Sequence, residues 1–227
     1  MKNRIVIGSV LILLLSEVHA AESTCYGTTS KGRIENAVLL PSEGRNFVSY
    51  GSFPEIAGRT YVHSKVRDVV VDAYRLLEAE QPSKVYKFAE TGLRGGGPFK
   101  PHKTHQNGLS VDFMVPVVDE SGRSVHLPTH PLNRYGYDIE FDASGRFEGY
   151  RIDYEALAAH LIALTRAAEK RGIKIWRVIF APELAPNLYK TKYAEEIKRA
   201  VSIPSRPSWV RHDEHYHVDF DIPCRPH

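Results

Sequence analysis

The stretch RHDEHYHVDFD, residues 211–221, places three histidines and four carboxylates in eleven positions. In an extended strand successive side chains alternate faces. His215, His217 and Asp219 then share one face, and Tyr216, Val218 and Phe220 take the other. The apolar face can enter a core while the His-x-His pair aims two imidazoles at one point. Taken alone, such a pair is equally a histidine cluster on an exposed edge strand. A catalytic zinc needs three protein ligands and an open position, so the remaining ligands must come from elsewhere in the chain.

PHKTHQNGLSVDF, residues 101–113, contains candidates. His105 ends a loop rich in Gly and Pro, and Gly108 can turn the chain into a strand whose alternation sets Leu109, Val111 and Phe113 against Ser110, Asp112 and Met114. An acid in such a strand needs solvent or a partner. His105, Asp112 and His217 make a His–Asp–His set of nitrogen and oxygen ligands suited to Zn²⁺. Asp219 and Asp221 are read as structural, or as carboxylates that orient a ligand histidine.

Together, HQNGLSVD and HDEHYH resemble the penicillin-insensitive murein endopeptidases, within the superfamily of lysostaphin-type peptidases, D-Ala-D-Ala metallopeptidases and Sonic hedgehog. The shared pattern is His, six residues, Asp, and a later His-x-His. It covers roughly residues 98–220 and is specific only as a combination. The resemblance implies zinc ligation by His105, Asp112 and His217, and a catalytic role for His215. His212 matches a helper histidine three residues before His215, and His102 matches one three residues before the first ligand. Two departures are visible: Ser110 stands where the family often has a second Asp, and better-known members have more cysteines. D-Ala-D-Ala dipeptidases place their general-base Glu three residues before the last ligand, a position Glu214 occupies here. Strand alternation points Glu214 away from the His215/His217 face, which ranks it below His215 and His212.

The implied activity is zinc-dependent hydrolysis of peptide cross-links in peptidoglycan, at the bond from D-Ala to meso-diaminopimelate. D,D- or L,D-carboxypeptidase trimming of stem peptides is one alternative, and a non-catalytic zinc-bearing cell-wall binding module another. The sequence shows no Gly-x-Ser-x-Gly elbow, so β-lactams are expected not to inhibit. The implied fold is α+β, a small antiparallel sheet with flanking helices around a zinc cleft.

Coarse patterning agrees with that class. HSKVRDVVVDAYRLLEAEQP reads as a helix with Val66, Val69, Val70, Ala73, Leu76 and Leu77 on its apolar side and Pro82 as its stop. DYEALAAHLIALTRAAEKRG reads as a second helix, capped by Asp153, striped by Leu157, Leu161, Leu164 and Ala168, and ended at Gly172. His160 is placed at that helix's edge. IKIWRVIF and EHYHVDFDI read as strands, YAEEIKRAV as a short helix, and residues 119–150 as turns with a hairpin. GLRGGG lacks the Lys-Ser/Thr ending of a phosphate loop and reads as a flexible cleft rim. Arg94, Tyr137, Trp209 and Arg211 are candidate groove residues.

The chain has 227 residues, no internal repeat and no charged linker, and reads as one domain over residues 21–227. Residues 1–20 have the layout of a secretory signal peptide: MKNR, an apolar run of eleven, then SEVHA with cleavage after Ala20. The run is too short for a span, which takes roughly 20 residues. A periplasmic protein without a membrane span after signal removal is expected. The formal charge of +3, without a basic block, gives no support to nucleic-acid binding. Cys25 and Cys224 are the only cysteines, and in an exported chain an even pair suggests a disulfide. Oligomeric state has no signature in the sequence.

Overall fold

A computed structural model describes residues 21–227; the expected signal segment, residues 1–20, lies outside them. Its centre is a five-stranded sheet in the order Lys174–Ile179, His215–Asp221, Ser110–Met114, Tyr86–Phe88, Phe47–Ser49. The strand His215–Asp221 lies between two antiparallel partners, with His217 opposite Asp112, Tyr216 opposite Phe113 and Asp219 opposite Ser110. The alternation read from EHYHVDF therefore holds: Tyr216, Val218 and Phe220 enter the core. The sheet is not wholly antiparallel, because Phe47–Ser49 joins Tyr86–Phe88 in parallel. A four-stranded sheet occupies residues 117–152, where turns and a hairpin were expected.

The helices Ser64–Glu80 and Tyr154–Glu169 pack against each other behind the sheet, completing a single compact α+β domain. His63 Nδ1 accepts from the Lys65 amide at the first helix's start, and Asp153 accepts from the Ala156 amide at the second's. These bonds satisfy N–H groups that a helix start leaves without partners. On the first helix Val66, Val69, Val70, Ala73 and Leu77 are buried as expected. Leu76 is not: it is 38% exposed, and Tyr74 fills the core instead.

His160 also departs from expectation. It is fully buried, stacked on Tyr74 and in contact with the Tyr216 hydroxyl. His160 points between the first helix and the sheet, against Tyr74 and Phe113, and the helix's exposed positions are Glu155, Arg166 and Glu169. Burial pushes the His160 imidazole down to about 3, which keeps it neutral. Cys25 and Cys224 form a disulfide that ties the first hairpin to the end of the central strand. Among the described residues no helix is long and apolar enough to cross a membrane.

Candidate metal centre

Two adjacent strands and one loop build the site. The strand Ser110–Met114 carries Asp112, and His215–Asp221 carries His215 and His217. Residues 91–108 deliver His102 and His105. Gly108, at φ +77°, lets this loop pass under His63, whose amide donates to the Gly108 carbonyl at 2.9 Å. A Cβ at Gly108 would stand 2.8 Å from the His63 nitrogen and 2.5 Å from Ile34 Cδ1, so the close approach requires glycine. The loop is not the free rim expected from its glycines. Its backbone bonds Gly97 to Gly32 and Gln106 to Thr29, anchoring it on the first hairpin. His105 itself is left-handed, at φ +66°, and its imidazole is completely buried.

Asp112 is fully buried, and its two oxygens face different groups. Oδ1 lies 3.2 Å from His105 Nε2 and 2.8 Å from His217 Nδ1. Oδ2 accepts the Tyr137 hydroxyl at 3.1 Å and lies 3.8 Å from both His102 Nδ1 and His215 Nε2. The far nitrogen of each imidazole is engaged elsewhere. His105 Nδ1–H donates to the Thr91 carbonyl at 3.0 Å, and His215 Nδ1–H donates to Glu214 Oε1 at 2.7 Å. His102 Nε2–H donates to Glu90. His217 Nε2 sits 2.9 Å from Asp219 Oδ1, off the line of a good hydrogen bond. Asp219 in turn accepts from Ser110 Oγ at 2.6 Å and Arg177 Nε at 2.7 Å.

This geometry fits a cation. Four imidazoles turn a nitrogen toward one buried carboxylate, and His105 Nε2 is buried with no hydrogen-bond partner. The candidate ligand atoms of His102, His105 and Asp112 lie within 4.8 Å of one another. Two ligands on a tetrahedral zinc stand roughly 3.3 Å apart, close to the His105–Asp112 separation; the His217–Asp112 approach is a few tenths of an ångström shorter.

The charges agree. Burial would raise the Asp112 carboxyl, but the imidazoles of His105 and His215 hold it well below the usual range. Burial works against a charged His217, yet the Asp219 and Asp112 carboxylates push it up to about 10. Asp112 and Asp219 thus favour positive charge at His217, whereas burial holds His105, on the same oxygen of Asp112, below its ordinary value. His215 is also raised, against burial, by Glu214 and Asp112.

Above Asp112 opens a cleft of about 500 Å³ lined by Glu90, His102, Tyr135, Tyr137, Trp209, Glu214 and His215. His212, left-handed at φ +42°, packs its ring 4.6 Å from that of His215 and donates Nδ1–H to the Val210 carbonyl at 2.9 Å. Burial holds it down to about 4. Glu214 departs from the alternation argument: it precedes the strand's first residue, His215, so its carboxylate curls back to His215 and the cleft. Of the four groove candidates, Tyr137 and Trp209 line the cleft. Arg94 is exposed, and Arg211 is held by Glu183, Glu140 and Asp213. Glu90, Thr91 and Arg177 are site neighbours that sequence reasoning missed. No local motif marks them, since each acts only through contacts across the fold.

An α+β domain with a buried His–His–Asp group at the floor of a cleft defines a protein able to hold a metal ion beside a substrate groove. A family model, penicillin-insensitive murein endopeptidase, matches residues 25–226, and the chain belongs to that family. It is an enzyme, a peptidoglycan hydrolase and metallopeptidase. A search of curated proteins returned no match.

Proposed function

We propose that this chain is a periplasmic zinc endopeptidase, exported by residues 1–20 and cutting the D-Ala–meso-diaminopimelate cross-link of peptidoglycan. The observation that carries the metal assignment is the two-sided use of Asp112. On the Oδ1 side stand His105 and His217, buried and directed at one point. On the Oδ2 side stand His102 and His215, which line the cleft. In this reading His105, Asp112 and His217 hold the zinc, with His102 beside them at the cleft wall.

A zinc ion held there would lower the pKa of an attacking water from about 16 to roughly 7 and would polarise the scissile carbonyl. The chain's own residues handle protons and orientation. Glu214 fixes the His215 tautomer by taking its Nδ1–H, which leaves Nε2 free to accept the attacking water's proton. His215 then returns that proton to the leaving amine. His212, kept neutral by burial, packs on His215 and limits its rotation. Tyr137 donates to Asp112 and stands with its ring 4.9 Å from that of His215, framing the carbonyl's approach. Glu214 therefore orients the base instead of replacing it.

Digestion of purified sacculi, with products resolved by mass, tests the reading. Cross-linked dimers converted to monomers support it. Monomers shortened by one D-Ala point to a carboxypeptidase. Unchanged muropeptides with zinc bound point to a binding module.

A further inference from the structure

Glu90 lies two residues beyond the strand Tyr86–Phe88, in the cleft wall, and is 7% exposed. A buried carboxylate is expensive unless donors match its charge, and Glu90 has three. His102 Nε2–H donates to Oε2; the Tyr50 hydroxyl, at 3.0 Å, and Arg59 Nε donate to Oε1. These contacts leave Glu90 no free role as a proton acceptor toward substrate. They also decide the orientation of His102: with Nε2–H given to Glu90, Nδ1 is the nitrogen that faces Asp112 Oδ2.

Arg59 extends the arrangement to the loop itself. Its Nη2 donates to the Lys100 carbonyl at 2.9 Å, and its guanidinium lies 4.1 Å above the Phe99 ring. Phe99 stacks on His102 and packs against His105, with ring centroids 5.4 and 5.5 Å away. One ion pair therefore grips the His102 ring, the backbone beside it, and the aromatic spacer against both loop histidines.

We propose that Glu90 is a positioning residue of the metal centre, acting through His102 and anchored by Arg59. It selects the nitrogen that His102 presents and holds the loop carrying His102 and His105 over Asp112. This rests on the reading of the cluster as a zinc centre. Outer partners that orient metal-ligating histidines typically change metal affinity or activity 10–100-fold, and Glu90 reaches the ligand His105 through His102 and Phe99, both packed against it.

The test is zinc affinity of the metal-stripped protein by competition with a chromophoric chelator, with the absorption spectrum of the cobalt(II)-substituted protein as a second readout. Glu90→Gln keeps the shape but loses the charge and acceptor strength. We expect a 10–100-fold weaker affinity and a shifted cobalt spectrum, measured at a temperature where the stripped variant is folded, since removing one partner of a buried ion pair also lowers stability. Glu90→Asp, which retains the charge, is expected to recover part of the affinity, and it serves as the probe if Glu90→Gln does not fold. In a His102→Gln background, Glu90→Gln should have no further effect on affinity. Unchanged affinity and spectrum in Glu90→Gln, or full additivity with His102→Gln, overturns the proposal while the zinc centre stands. A parent protein that binds no zinc overturns the zinc reading, and this proposal with it.

Discussion

Asp219 Oδ1 stands 2.9 Å behind His217 Nε2, so the two carboxylates Asp112 and Asp219 bracket one imidazole from opposite edges. Asp219 is itself held by Ser110 and Arg177, which stops it turning away. Asp219→Asn keeps the shape but removes the charge that supports His217. Zinc affinity is expected to fall 10–100-fold, measured by chelator competition. Unaltered affinity would show that His217 is oriented by the strand alone.

His217 and His215 differ by which oxygen of Asp112 they face, and their alanine variants should part accordingly. His217→Ala should lose stoichiometric zinc. His215→Ala should retain zinc and lose turnover by about 10²–10⁴-fold, the usual worth of a positioned acid–base group. Metal content and muropeptide release, measured on the same preparations, separate the two roles. A fully active His215→Ala would transfer the base to His212 or Glu214.

The Cys25–Cys224 bridge closes a loop spanning 199 positions. Chain entropy sets an upper bound of about 5 kcal/mol on its contribution, and losses of roughly 2–5 kcal/mol are typical when such a bridge is removed. The Cys25→Ser/Cys224→Ser variant should show that loss in urea unfolding. A change below about 1 kcal/mol would mean that the paired hairpin and central strand hold the termini without the covalent link.

His160 predicts an acid-side loss of stability. Its folded pKa, about 3, lies below the unfolded value near 6.5. The unfolded chain then binds a proton that the folded chain refuses. This contribution is fully present above pH 6.5 and is lost as pH falls from there toward 3. By pH 4 the loss is on the order of 3 kcal/mol. Urea midpoints at pH 7 and pH 5 should differ less for His160→Gln than for the parent. Equal slopes would rule out His160 as the source.

How far the sequence could be read depended on the range of each interaction. The His-x-His face was legible because strand alternation is local, and Asp153 because an N-cap bonds within its own turn. Glu214 was misread by extending alternation one residue past the start of the ladder. His160 was misplaced because the stripe rule assumes one helix face in water, and this helix has twelve buried residues among its sixteen. Glu90 is a single acid after a strand, and its importance arises from Tyr50, Arg59 and His102, which lie 40, 31 and 12 positions away. The parallel edge pairing of Phe47–Ser49 is likewise long-range and leaves no local pattern.

The place of the last strand has a consequence for timing. His215–Asp221 inserts between Ser110–Met114 and Lys174–Ile179, so the sheet stays split until that segment arrives. A chain still being synthesised can present His105 and Asp112 but lacks His215 and His217. Cutting power is therefore withheld throughout synthesis, and it appears only in the same closing step that completes the domain.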